Sequence, residues 1–490
     1  MNVRSLKWRR KVFIALERLG KITLAGAARP SVEVTLDVEV ISRREILRQH
    51  GVSRGDVIAL SQTASFGFFA DLLAVWMCGA QAVCLDVTLT EAERANVVSF
   101  AAAKFVLLVQ SDEAQIWPVP KLVLANFPRS PLRGNDHPAV AMLDDPALTL
   151  FTSGTTGDPK GVTHSFRSIK ARLALNAAAI GLMPSDKALL TLPVHFGHGL
   201  IGNALSALFA GAELVVPPLG LTLAKSLGAI IDDHGITFMS SVPALWRMAM
   251  KLSPKPKSTG LRRVHVGSAP VSVAFLKQIE DWVGCEVFNC YGITETANWI
   301  GAASSRDFQM RDGFVGKPWG GSAAVRTEDG VLQAVGEGEI VVDTPSLMTG
   351  YLSRPDLTAA AFVGGWYRTG DWGTVDAAGH ICLSGRVKDE INRGGFKVQP
   401  AEIDMLLERH DAVEEACTFG IPDLVGTEIV AAAVKLKDNA AVTDEELRAW
   451  AMNQLRRDAV PERWFFVADI PKTARGKLRR DAVRKALIGE

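Results

Sequence analysis

LTLFTSGTTGDPKGVTHS, residues 148 to 165, holds four hydroxyl side chains, three glycines and one lysine in the ten residues after Phe151. The apolar lead-in of Leu148, Leu150 and Phe151 predicts a buried strand, and the Ser, Thr and Gly run predicts a loop leaving the sheet. Small residues let backbone N–H groups approach an anion, hydroxyls add donors, and Lys160 adds a full charge. This is the chemistry of a phosphate cradle. A Walker A loop needs GxxxxGK followed by Ser or Thr, whereas GTTGDPKG puts Asp158 and Pro159 before Lys160 and Gly161 after it, so that reading fails on spacing.

Outward from this loop, short apolar runs alternate with longer ones. From about Gly55 to Leu108, VIAL, AVCLDV and KFVLLV are separated by helix-like stretches such as FGFFADLLAVWMCGA. After the loop the alternation returns as KALLTLPV, LIGNALSALFAGA, ELVVP, LAKSLGAIIDDHG, ITFMSSVP, ALWRMAMKL, RRVHVGSAP and CEVFNCYG. Strands alternating with helices predict two doubly wound α/β units in series. Around Gly313 glycines become frequent between alternating apolar residues, predicting a small unit of β hairpins. After Gly385 a charged, glycine-containing segment leads into roughly 100 residues that read as a separate α+β domain. The expected division is 1–385 and 386–490.

The chain has 490 residues, too many for one ordinary core. With 48% hydrophobic residues, 22% charged residues and a net charge of +1, it reads as a soluble cytoplasmic protein with small-molecule partners and no nucleic acid. The six cysteines are scattered without a CxxC pair and read as reduced, buried thiols. The N-terminal MNVRSLKWRRKVFIALERLG is basic, but its apolar run, Val12 to Leu16, is too short to span a membrane. It reads as a plain surface helix, with peripheral contact to an anionic lipid surface or a targeting role as alternatives.

Several other segments carry chemistry. In NCYGITETAN, Tyr291 offers an aromatic face, Thr294 a hydroxyl and Glu295 a carboxylate able to hold magnesium. In WYRTGDWG, Asp371 follows a glycine turn, where a carboxylate can accept the hydroxyls of a ribose. Singly, each is a weak signal. Their order is not: FTSGTTGDPKG, YGITET, YRTGD, GRVKDEINRGGFKV and PKTARGKL resemble, in sequence and spacing, the successive core motifs of the adenylate-forming superfamily. Its members include acyl-CoA synthetases, peptide-synthetase adenylation domains and luciferases, and the resemblance runs from about Gly55 to the C-terminus.

The resemblance implies a large N-terminal domain and a small, mobile C-terminal one. It also implies activation of a carboxylic acid by ATP and Mg2+ to an acyl-adenylate, with release of pyrophosphate and transfer of the acyl group to a thiol. Thr152, Ser153, Gly154, Thr155, Thr156, Gly157 and Lys160 match the loop that holds the β- and γ-phosphates. Tyr291 matches the aromatic stacked on adenine, with Asn289 and Gly292 beside it in the nucleotide site. Thr294 matches the α-phosphate contact, Glu295 the magnesium ligand, and Asp371 and Arg386 the ribose contacts. Lys477 matches the lysine that bridges carboxylate and α-phosphate. Arg475, Arg479 and Arg480 around it read as a solvated basic face. Lys388 matches the hinge, Gly394 and Gly395 the loop that faces the pantetheine arm after rotation, and Lys397 a phosphate contact in the other half-reaction.

The resemblance also implies where the acid sits: the segment after Leu192, VHFGHGLIGN, and the turn VHVGSAP. His195 and Phe196, with Gly267, Ser268 and Ala269, are the expected pocket residues. His195 and His198 are each a gate, a pocket wall or a packed histidine. Ser268 departs from the commoner glycine, which narrows the pocket or adds a hydrogen bond. No aspartate stands where amino-acid-activating domains place one, and FGHGLIGNAL is similar to the pocket segment of benzoate-type CoA ligases. The expected activity is ligation of an aromatic or short to medium aliphatic monocarboxylic acid to CoA. The alternative acceptor is the phosphopantetheine of a carrier protein.

Overall fold

The computed structural model describes residues 14–25, 35–109, 116–127, 141–152, 159–257, 260–393, 396–423, 428–473 and 477–489. The first sheet runs Gly350–Tyr351, Lys160–Ser165, Pro146–Thr152, Gln81–Cys84, Val57–Leu60, Phe105–Leu107 and Lys121–Leu122. Its last five strands are parallel, as the alternation predicts. The phosphate-cradle segment does not leave this sheet for good. It returns as an antiparallel strand pairing Phe151 with Gly161 and Thr152 with Lys160, so Lys160 stands on a strand. Ser153, Gly154, Thr155, Thr156 and Gly157 lie outside the described residues.

The second sheet runs Ile22–Leu24, Glu213–Val216, Lys187–Leu190, Phe238–Ser241, Arg263–Gly267, Val287–Ile293 and Asn298–Ser304, parallel except for the last. The chain goes from Lys187–Leu190 outward to Glu213–Val216, then back past it to Phe238–Ser241 and on in the opposite direction. The order therefore reverses between Lys187–Leu190 and Phe238–Ser241, where such sheets open a crevice at their carboxyl ends. The helix-like run after Leu192 is partly π-helical, over His198–Leu205. Gly199 and Gly202 allow it to press close: a Cβ on them would lie 2.4 Å from the Pro193 carbonyl and 1.9 Å from Asn298 Nδ2.

The expected surface helix at the N-terminus is not what the described part forms. Leu16–Arg18 make a single 3-10 turn, and Ile22–Leu24 extends the second sheet in parallel with Glu213–Val216. An edge strand leaves backbone groups unpaired, and this segment covers them. Residues 1–13 lie outside the described residues.

The edge strands Ile22–Leu24 and Lys121–Leu122 apart, the two largely parallel sheets bury residues from both faces, and helices such as Phe66–Met77 are apolar almost all round. Asp71 on that helix is fully buried but bound by Arg43 at 2.5 Å and Gln62 at 2.6 Å, which offsets its desolvation. The third sheet is antiparallel, Phe314–Gly316, Ile381–Arg386, Trp366–Val375, Gly336–Asp343, Ser322–Arg326 and Leu332–Gln333. It is the hairpin unit expected from Gly313 onward.

The C-terminal residues make a hairpin, Ile391–Arg393 with Phe396–Val398, and a three-stranded sheet of Val413–Pro422, Glu428–Leu436 and Arg463–Phe466. The helices Pro400–Leu407, Asp444–Met452 and Arg480–Ile488 pack around it. Thr443 caps the second of these in a capping box with Glu446. Arg480 corrects the expectation of a solvated basic face: its guanidinium meets Asp404 at 2.6 Å and Asp389 at 3.9 Å and donates to the Thr418 carbonyl at 2.7 Å. Arg479, by contrast, is exposed. Cys78, Cys84, Cys285, Cys290 and Cys417 are buried, Cys382 is half-buried, and all six are free thiols. Among the described residues no helix is long and apolar enough to cross a membrane.

Candidate active site

Strand Val287–Ile293 carries Tyr291, whose hydroxyl donates to Asp371 Oδ2 at 2.5 Å. Antiparallel register sets Asp371 opposite Arg386, and Arg386 Nε reaches Asp371 Oδ1 at 2.7 Å. Asp371 is 5% exposed, so both of its oxygens are satisfied by protein groups in a water-poor place. Burial, and next the Asp371 charge, push the Tyr291 phenol well above its ordinary pKa; the same charge raises that of Arg386. Asn289 is buried and donates to the Phe314 carbonyl at 2.9 Å, bracing this strand against the third sheet. A β-bulge falls between Tyr291 and Gly292.

Beyond the bulge, Thr294–Thr296 forms a 3-10 turn, followed by Ala297 and Asn298 at φ of 56° and 95°. The turn projects Glu295, whose Oε1 accepts from the Tyr351 hydroxyl at 2.8 Å and lies 3.8 Å from Lys160 Nζ. Lys160 also stands 4.0 Å over the Tyr351 ring, a cation–π contact. Tyr367 continues the chain at 3.0 Å from the Tyr351 hydroxyl. The Thr294 carbonyl accepts from His164 Nε2 at 2.8 Å, and burial lowers the His164 pKa to about 4. Lys160 and His164 are four residues apart on one strand, so both reach the same side.

Among the residues expected to line the acid pocket, His198 is held through both ring nitrogens, Nε2 to Ser240 Oγ at 2.6 Å and Nδ1 to Ser268 Oγ at 2.8 Å. It packs edge-on against Trp299 at 4.4 Å. His195 faces Asp86 at 3.2 Å and the ring of Phe196 at 4.1 Å. Gly267 approaches the Cys290 carbonyl so closely that a Cβ would lie 2.6 Å from it, and Ala269 is half-buried.

Lys477 is exposed; its N–H donates to Thr473 Oγ1 at 3.2 Å and its carbonyl accepts from Thr473 N at 2.8 Å. Lys388 is exposed. Lys397 pairs with Glu328 at 2.8 Å and Glu390 at 3.3 Å, and Gly394 and Gly395 lie outside the described residues.

The family model for the AMP-binding enzymes matches residues 43–352, and that for the AMP-binding enzyme C-terminal domain matches 402–477. The chain belongs to the AMP-binding enzymes. Curated members similar to it include an oxalate–CoA ligase of Arabidopsis thaliana, 30% identical, with 89% of this chain and 90% of that protein aligned. A sulfoacetate–CoA ligase of Cupriavidus necator is 33% identical over 84% of this chain and 83% of its own. Among solved structures, a Mycobacterium tuberculosis fatty acyl CoA synthetase superposes at a TM-score of 0.72, with 26% identity and 96% of each chain covered. An anthranilate CoA ligase in complex with anthranoyl-AMP shares the fold at a TM-score of 0.83 and 21% identity, over 99% of each chain.

For this AMP-binding enzyme, sequence reasoning missed Tyr351, Tyr367, His164 and Ser240. A signal existed for two of them: the chain has only three tyrosines, and all three hydroxyls are engaged at Asp371 or Glu295. His164 and Ser240 carried none, because each stands beside other polar residues of its strand that look no different: Thr163 and Ser165 flank His164, and Ser241 follows Ser240. Among the described residues no group of three or more His, Cys, Asp or Glu side chains is set to hold a metal ion.

Proposed function

We propose that this enzyme activates a monocarboxylic acid with ATP to an acyl-adenylate, releasing pyrophosphate, and transfers the acyl group to the thiol of CoA. One observation carries the reading: the Tyr291–Asp371–Arg386 cluster and the Glu295–Lys160–Tyr351 cluster are joined by a single strand and turn, Val287 to Thr296. In this reading Asp371 accepts the ribose hydroxyls of ATP and Arg386 fixes the orientation of that carboxylate. Tyr291 lies along the adenine. Lys160, with the hydroxyls and amides of residues 152–157, draws charge off the departing β- and γ-phosphates. The names of the relatives support CoA as acceptor; a carrier-protein phosphopantetheine presents the same thiol.

Glu295 would hold the magnesium ion. A single hard carboxylate fits, since Mg2+ commonly takes one or two protein carboxylates and completes its shell with water and substrate phosphates. Bound there it would supply positive charge against the triphosphate. Carboxylate and triphosphate repel, so the barrier falls chiefly through positive groups placed where charge develops. Lys477, a compact charge on a flexible stem, suits the α-phosphate. Its exposed position on the C-terminal unit fits a residue that is brought to the site by movement about Lys388, with the division of the chain near 385/386.

The test is acid-dependent pyrophosphate release over a panel of carboxylic acids, with and without CoA. Release that yields acyl-CoA supports the reading. Acyl-adenylate that no CoA discharges favours the carrier protein, and no release with any acid overturns it.

A further inference from the structure

The strand order reverses between Lys187–Leu190 and Phe238–Ser241, and the carboxyl ends of the strands at such a reversal are the place where open α/β sheets take their ligands. Three polar side chains meet there. His198 comes from the connection that leaves the first strand, Ser240 from the second, and Ser268 from the turn after the next strand, Arg263–Gly267. Ser240 and His198 are buried, whereas Ser268 is half-buried. Ser268 is thus the end of the chain that opens outward.

Two further features mark Ser268. Its φ is 67°, in the left-handed region that a residue with a Cβ rarely adopts, so glycine is the unstrained choice here. Strain of this kind persists where the surroundings impose it and clusters at ligand sites. Its one bond among those described is to His198 Nδ1, whose other nitrogen is tied to Ser240; Thr191 in turn donates to the Ser240 carbonyl. A neutral imidazole donates through one nitrogen and accepts through the other, so the two tautomers turn the Ser268 hydroxyl into an acceptor or a donor toward whatever enters. Burial depresses the His198 pKa to about 3, which keeps the ring neutral.

Resting on the acid-activating reading above, we infer that the Ser268 hydroxyl, positioned by His198, is the specificity-determining contact of the acyl crevice, and that it selects acids carrying an uncharged hydroxyl, oxo or amino group. A neutral dipole pairs with a neutral dipole. A second carboxylate brought against it would be desolvated without a countercharge from these three residues.

The experiment compares kcat/KM for acid-dependent pyrophosphate release within matched pairs: hydroxybenzoates against methylbenzoates, hydroxyalkanoates against alkanoates, and both against dicarboxylic acids. The wild type is expected to favour at least one polar member over its methyl isostere by about tenfold or more, because a site built to hydrogen-bond rejects the analogue that cannot. Ser268→Gly, which relieves the backbone strain and so does not threaten folding, is expected to abolish that ratio. His198→Phe should do the same, while His198→Gln, which keeps a donor and an acceptor, should retain part of it. Pyrophosphate release with preference for the methyl isosteres or for dicarboxylic acids, or a ratio that survives Ser268→Gly, overturns the inference and leaves the acid-activating reading standing. No release with any acid overturns both.

Discussion

Asp371 illustrates how a single carboxylate is accommodated in a dry place. At 5% exposure its desolvation costs several kcal/mol, and the Tyr291 hydroxyl and the Arg386 guanidinium offset it from opposite oxygens. Lys477 is the contrary case, an exposed charge on the C-terminal unit. For Lys477→Ala, adenylate formation should fall by about a hundredfold or more, while thioester formation from supplied acyl-adenylate changes by less than about threefold. Separate single-turnover assays of the two steps check this; equal losses would contradict the assigned role. His164 makes a prediction in pH. Its folded pKa, about 4, lies below the ordinary 6.5, so the unfolded chain takes up a proton that the folded one refuses. Its contribution to stability is therefore complete above pH 6.5 and is lost as pH falls from there toward 4. His164→Gln should shrink the fall in melting temperature between pH 7 and pH 5, measured by calorimetry against the wild type. An unchanged fall would show that this ring is not among the groups responsible.

Elements bring these residues together through register and close approach. Asp371 and Arg386 face each other because their strands pair antiparallel, a relation that their fifteen-residue spacing does not reveal. The bulge at Tyr291/Gly292 turns the strand into the Glu295 turn, and Gly292 is what allows it. A Cβ at Gly292 would stand 2.0 Å from the Asn298 carbonyl oxygen, a backbone atom that cannot swing aside. Gly292→Ala should cost about 1–3 kcal/mol or more of stability through overpacking. It should also weaken nucleotide binding, because Tyr291 and Glu295 flank the displaced bond. Thermal melting together with calorimetric titration of ATP checks both effects, and a variant that melts and binds as the wild type would contradict the packing argument. The hairpin at Lys160 belongs to this scale as well. Glycines and hydroxyls announced a loop, but whether the chain re-entered the sheet depended on the free edge offered by Pro146–Thr152.

At the scale of the molecule, the C-terminal unit docks on the larger one through charged contacts. Arg247 on helix Pro243–Leu252 donates to the Glu414 carbonyl and to Glu408, each at 2.9 Å, and stacks over Phe275 at 4.6 Å. Lys251 meets Glu414 at 2.8 Å, and Arg409 reaches back to Asp312. Burial pushes the Glu408 carboxyl up to about 7, so this pair is held by mutual dependence. Arg247→Met should leave Glu408 without its countercharge and loosen the docking. Tryptic cleavage near Lys388 is expected to accelerate about tenfold, and Glu408→Gln in the same chain to restore part of the protection. Cleavage at the wild-type rate would mean that these contacts do not hold the two units together.

By itself the amino-acid sequence determined the alternation of strands and helices, the change to hairpins near Gly313, the separate C-terminal unit and the ordered motifs. Each of these is written in local composition and periodicity, which neighbouring residues set between them. The tertiary structure alone decided that Arg480 is paired inside the C-terminal unit with Asp404 and that Ile22–Leu24 completes the second sheet. It also decided that Tyr351 joins Glu295, and that His198 links Ser240 to Ser268. These partners are separated in sequence by 42 to 192 residues, and nothing local distinguishes a polar side chain that will be met from one that will face water. Burial and hydrogen bonding are settled only when the sheets close, because the desolvation that demands a partner arises at that moment.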